Sequence, residues 1–190
     1  MPLNTIEAIT TRYSCRDFLD RMPSDDDLQT ITDAAIASPS AMNRQPWQII
    51  LVKDRALIDT LDKAGMEGLA ALPDRSTFER IQSRGGKLFY NAPCMIVIAL
   101  DTATPSGYEH IDCGIATQNI ALAATSLGIN SLICGLFKFA FTDEDTADEF
   151  KRRLNFHDAF EVGIAVLLGY GTHAGRKDPH DLDRSKVTRV

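Results

Sequence analysis

Ser38-Pro39-Ser40-Ala41-Met42-Asn43-Arg44-Gln45-Pro46-Trp47 joins a helix-like segment to the apolar run Gln48-Ile49-Ile50-Leu51-Val52. The pattern of the chain changes here. Leu28, Ile31, Ala34 and Ala35 recur at helical spacing, whereas Trp47 to Val52 is the continuous apolar run of a buried strand. Between them, two prolines predict extended backbone around each ring. Two hydroxyls, two amides and one guanidinium are more polar groups than a plain turn requires. Such a loop can present hydrogen-bonding groups to a bound molecule, although Ser, Pro and Asn are also ordinary connector residues.

Upstream of that loop, Ser24 before Asp25, Asp26 and Asp27 predicts a helix start, with acids on the positive end of the helix dipole and Pro39 as the stop. Asn4 with Glu7 resembles a capping box opening a short helix over residues 4–11. Downstream, Asp54 caps a helix carrying Leu57, Ile58 and Leu61, closed by Gly65. Residues 66–90 are the least legible: Phe78 and Ile81 suggest a helical piece, Gly85-Gly86 a break or a mobile lid. Pro93 to Leu100 reads as a central strand. Tyr108 to Leu127 is the longest helical pattern, stopped by Gly128. It is apolar nearly all round and is expected in a subunit interface. Ser131 to Gly135 is a short strand, Thr142 with Asp143, Glu144 and Asp145 opens another helix, and Val162 to Leu168 is the last strand. Residues 171–190 form an extended charged tail. Strands interleaved with helices give an α/β or α+β sandwich.

A chain of 190 residues suits one domain, spanning residues 1–190, and buries roughly 70% of its unfolded surface. With 44% hydrophobic and 24% charged residues its composition is that of a globular protein, and a net charge of −6 argues against a nucleic-acid partner. It does not exclude an anionic small ligand, since a few local arginines outweigh a mild global field. Cys15, Cys94, Cys113 and Cys134 form no C-x-x-C pair or zinc spacing and read as reduced thiols of a cytoplasmic protein. No apolar run reaches the ~18–20 residues of a membrane span, and no secretory signal pattern opens the chain.

The sequence holds no G-x-G-x-x-G after a strand and no P-loop. The four histidines are scattered. Asp178, His180, Asp181 and Asp183 could imitate a metal site, but in a polar tail they read as a solvated charge run, and no metal is expected. Cys113 has only Asp112 beside it, with no basic partner to make a thiolate. What remains is cationic: Arg12, Ser14 and Arg16 after the first helix, and Arg176-Lys177 in the tail, types suited to a phosphate. No catalytic side-chain constellation stands out, as expected where a cofactor carries the chemistry.

Arg12-Tyr13-Ser14-Cys15-Arg16-Asp17-Phe18 and the Ser38 to Trp47 loop resemble the two N-terminal motifs of the FMN-dependent nitroreductase family. The likeness continues through Ala92-Pro93, Asp112-Cys113-Gly114, Gln118 to Ala124, Leu127-Gly128, Cys134-Gly135 and Gly169-Tyr170. It implies an α+β fold: a three-layer sandwich with a central, mostly antiparallel sheet flanked by helices, in an intertwined homodimer with FMN at the interface. By the same resemblance, Arg12, Tyr13, Ser14 and Arg16 would hold FMN, with Arg16 at the N1–C2 carbonyl region. Pro39, Ser40, Asn43 and Gln45 would reach the flavin of the other subunit. Leu132, Cys134 and Gly135 would line one flavin face, with the Cys134 backbone N–H near N5, and Arg176 and Lys177 would hold the phosphate. The implied reaction is ping-pong hydride transfer from NADH or NADPH through flavin N5 to a nitroaromatic, quinone or similar electrophile. An FMN enzyme of the same fold without a nicotinamide reductant (dehalogenase or flavin-consuming type) and a non-enzymatic flavin-binding module are the alternatives.

Overall fold

The structure is a computed structural model that describes residues 2–103, 105–173 and 182–190. Its centre is a four-stranded antiparallel sheet in the order β1-β2-β4-β3, built from β1 (Trp47–Val52), β2 (Cys94–Asp101), β3 (Asn130–Cys134) and β4 (Phe160–Gly169). Ile96 and Val97 of β2 sit opposite Val166 and Ala165 of β4, and the same β2 residues face Leu51 and Ile50 of β1. Met95 to Ala99 and Ala165 to Leu168 have no exposed surface, so β2 and the C-terminal half of β4 are buried on both faces. That explains the apolar runs, because a strand covered on one face only would alternate.

Helices form the two outer layers. On one face α2 (Asp25–Ile36) and α5 (Glu109–Ser126) enclose Leu28, Ile31, Ile96, Ile98, Ala116 and Ile120. The other face carries α3 (Arg55–Ala70), the short α4 (Ser76–Gln82), a 3-10 run over Gly135–Phe141 and α6 (Glu144–Arg153). Leu61, Leu69, Ile81, Phe89, Phe137 and Phe150 fill that side. The expected α+β sandwich with a central antiparallel sheet is therefore present, and α1 (Thr5–Thr11) packs on α5.

The caps are those the sequence predicts. Asn4 and Glu7 make a reciprocal capping box, while the Ser24 and Asp54 side chains accept from the backbone N–H groups of Asp27 and of Ala56 and Leu57. At α6 the cap is Asp143, one residue later than expected. Gly65 does not close α3, which continues to Ala70. Here the absence of a side chain serves packing: a Cβ on Gly65 would lie 2.4 Å from Leu88 Cδ2, and one on Gly68 would lie 2.3 Å from the Phe139 carbonyl oxygen. α3 thus rests directly on the 3-10 run. The long α5 is largely consumed within its own chain, burying Cys113, Ala116, Ile120 and Ala124. Only part of it, with Ile111 60% exposed, is left to face anything else.

Gly68→Ala separates these two roles of glycine. Helix propensity alone would stabilise the exposed-helix equivalent by about 1 kcal/mol. Against a backbone carbonyl that cannot rotate away, the substitution is expected to destabilise the fold by ~1–3 kcal/mol in urea unfolding. A midpoint at or above wild type would refute the close packing of α3.

Candidate functional site

Residues 12–16 leave α1 extended and run alongside β3. Ser14 bridges Ser131, and the Cys15 N–H donates to the Ser131 carbonyl at 3.0 Å. Extended backbone alternates its side chains. Cys15 is buried and Tyr13 packs against the core, whereas Arg16 is exposed, its guanidinium donating to the Ser14 carbonyl at 3.3 Å. Arg16 lies at a cavity of about 400 Å³ beside the C-terminal end of β3, lined also by Leu132, Cys134, Gly135, Arg80 and Arg84. Four of the sequence-expected residues therefore converge. Gly135 is open on its side-chain side, with no atom within 4 Å of a built Cβ. Arg12 and Tyr13 line a neighbouring cleft of about 140 Å³ together with Asn130 and Ser131. The buried Ser131 hydroxyl is without a hydrogen-bond partner among the described residues. Arg176 and Lys177, and with them Asp178, His180 and Asp181, lie outside the described residues. Elsewhere no group of three or more His, Cys, Asp or Glu side chains is placed to hold a metal.

Pro39, Ser40, Asn43 and Gln45 are not part of this cavity. Their loop leads into β1, at the opposite edge of the sheet from β3. Three strand spacings, about 14 Å in all, separate those edges. The loop is tightly built. Both carboxylate oxygens of the buried Asp112 lie 3.2 Å from the Ala41 N–H, Asn119 donates to the Ser38 hydroxyl at 2.8 Å, and the Ser40 hydroxyl accepts from the Gln45 N–H at 2.9 Å. Met42, Asn43 and Gln45 have φ of 53°, 54° and 50°. The backbone around Pro46 is thus left-handed at Gln45, not extended as expected. Three non-glycine residues in that region cost conformational energy, which the Asp112 and Asn119 contacts offset. Such strain is concentrated where a loop must hold one shape.

Arg80 and Arg84 are the charged cavity residues that sequence reading missed, along with Leu88, Tyr90, Ile133 and Leu136. The two arginines fall in the stretch without clear periodicity, and only the burial of Ile81 fixes which way the short α4 faces. The opposite wall is held by Asp62, a buried carboxylate on α3 that accepts from the Phe89 N–H at 2.6 Å and so anchors the segment carrying Leu88 and Tyr90. Burial pushes the Asp62 carboxyl above its ordinary value, against the pull of the Phe89 and Leu88 N–H groups. Burial likewise pushes the Cys134 thiol up to about 11, so it stands neutral at the cavity wall and is no nucleophile. All four cysteines are unpaired and buried.

The match to known proteins agrees with this geometry. The model of the Nitroreductase family matches residues 9–170, and the chain belongs to that family. A protein of Archaeoglobus fulgidus named "Putative NADH dehydrogenase/NAD(P)H nitroreductase" is 33% identical over 168 residues, 87% of this chain and 84% of its own. Among solved structures, a nitroreductase with bound FMN from Desulfitobacterium hafniense is 47% identical and superposes with a TM-score of 0.93, covering 100% of both chains. A nitroreductase with bound FMN from Bacteroides fragilis, 24% identical, shares the fold at a TM-score of 0.87 over 99% of each chain. No helix among the described residues is long and apolar enough to cross a membrane.

The Asp62 carboxyl gives a pH test. Its folded pKa is raised, so its contribution to stability is full below the unfolded value of 3.8 and is lost as pH rises through the folded value. Asp62→Asn keeps an acceptor for Phe89 and removes that titration. The variant's Tm is expected to rise relative to wild type as the pH is raised above about 4. A difference in Tm that does not change with pH would contradict a raised pKa.

Proposed function

We propose that the protein is an FMN-dependent NAD(P)H oxidoreductase that reduces nitroaromatics, quinones or related electrophiles, acting as one domain in a cytoplasmic homodimer. The observation that carries the reading is the convergence of Arg16, Leu132, Cys134 and Gly135 on one cavity, in a chain 47% identical to a nitroreductase crystallised with FMN. The cavity suits a flavin. Arg16 offers a cation to the pyrimidine edge, Leu88 and Leu132 an apolar wall, and Gly135 open volume. Arg12 and Ser14, on the same extended segment, are the donors for the phosphate. Bound FMN would supply the hydride chemistry, from NADH or NADPH to the second substrate in ping-pong order. The chain binds and orients both reactants over one face, and Arg16 favours the anionic reduced form by charge. No side chain has to act as acid or base.

The same reading gives Pro39, Ser40, Asn43 and Gln45 to the partner's flavin. Two features support the dimer. Their loop and the cavity occupy opposite edges of the sheet, so one chain cannot bring them together. Ile6, Met42 and Ile111, on α1, this loop and α5, are 68%, 76% and 60% exposed, which suits coverage by a second copy. The four buried unpaired thiols favour a reducing compartment.

The protein is expected to purify with FMN, and a protein that neither carries nor binds added FMN would sink the reading. Arg16→Ala should raise the Kd for FMN about 10- to 100-fold, the loss of one charge-assisted contact. Site sharing is tested by mixing subunits. Arg16→Glu and Asn43→Asp chains, each inactive alone, should regain about a quarter of wild-type sites when co-refolded, because half the dimers are mixed and each mixed dimer holds one intact site. No recovery in demonstrably mixed dimers would overturn the shared site.

A further inference from the structure

The flavin reading uses one cation of the cavity and leaves two. Arg80 projects from the last turn of α4, and Arg84 follows its end, where the backbone is fixed by bonds from the Arg84 and Gly86 N–H groups to the Ile81 carbonyl at 2.9 and 3.1 Å. Ile81 itself is buried at 1% exposure and locks the turn to the core. Both guanidinium side chains are exposed, line the same cavity as Arg16, and join no ion pair among the described residues. None of the residues lining the cavity is acidic. The nearby carboxylate, Asp62, is buried and bonded to the Phe89 N–H, so it is not available to neutralise them. Lys87, the next basic residue, does have a partner in Asp59 at 3.5 Å. A chain of net charge −6 thus gathers three uncompensated guanidinium groups around one opening. Like charges held together repel, and that arrangement is stabilised when an anion sits between them.

We infer that Arg80 and Arg84 read an anionic group on the reactant that binds over the flavin, making the enzyme selective for anionic reactants. The inference rests on the proposed flavin site and adds its specificity. The recognised chemistry is a carboxylate, sulfonate or phosphate held by forked guanidinium donors at the mouth of the same cavity. Two sources could supply it: an acid group on the electron acceptor, or the 2′-phosphate that distinguishes NADPH from NADH.

The test uses the FMN-loaded enzyme and its Arg80→Gln/Arg84→Gln double variant. Binding of 4-nitrobenzoate and of neutral 4-nitrobenzyl alcohol is read from the perturbation of flavin absorbance, and kcat/KM is measured for NADPH and NADH. Wild type is expected to favour 4-nitrobenzoate over the alcohol, NADPH over NADH, or both, by about tenfold or more at low salt, an advantage that fades as salt is added. The double variant should abolish that advantage and leave 4-nitrobenzyl alcohol, and NADH, which lacks the 2′-phosphate, within about twofold of wild type. Loss confined to 4-nitrobenzoate places the anion on the acceptor, and loss confined to NADPH places it on the reductant. Either supports the inference. It is overturned if wild type shows no anion preference, if the double variant keeps it, or if the variant loses FMN, which would assign these arginines to the cofactor. Wild type that holds no FMN would sink the flavin reading itself, and this inference with it, before any variant is compared.

Discussion

The fold depends on the burial of β2 and β4 on both faces. Two adjacent strands whose central residues, Met95 to Ala99 and Ala165 to Leu168, have no exposed surface cannot stand unless a helical layer covers each side, and the chain supplies α2 and α5 on one and α3, α4 and α6 on the other. With both faces occupied, the sheet itself leaves only its edges open. The cavity lies at the β3 edge, and the strained loop enters at the β1 edge. The separation of the loop from the cavity follows from the strand order itself.

Much of the scaffold is legible in the sequence because its signals are local. Asn4, Ser24 and Asp54 each announce a helix by a side-chain oxygen aimed at nearby N–H groups, and β1 spans the predicted apolar run. Gly65 and Gly68 were not legible, since a glycine that ends a helix and one that lets a neighbour approach look alike in sequence. The 3-10 run at Gly135–Phe141 was missed for a related reason: its Phe137 and Ala140 are buried by contacts with distant elements, not by a helical period.

The site was legible in part. Arg16, Leu132, Cys134 and Gly135 were named from motif resemblance and do meet, whereas Arg80 sits on, and Arg84 just beyond, a seven-residue helix too short to show a period. The opening loop carried the opposite difficulty. Its polar groups looked available for a ligand, yet the Ser40 hydroxyl already accepts from the Gln45 N–H, and the Gln45 amide donates to Asn43 at 3.3 Å. Part of that polarity holds the loop's own shape. Asp112, far away in sequence, does the rest, and a single buried carboxylate on α5 gives no hint in sequence of the N–H that it will meet.

The segment from Arg12 to Arg16 also has a bearing on solubility. β3 is an edge strand whose outer backbone groups would otherwise be free to recruit another chain, and the Cys15 N–H with the Ser14 bridge occupies them at Ser131. The segment that places Arg16 at the cavity therefore also guards the β3 edge, through the backbone of Ser14 and Cys15, against strand-to-strand aggregation. One short extended segment thus both places a cation at the cavity and closes the edge of the sheet.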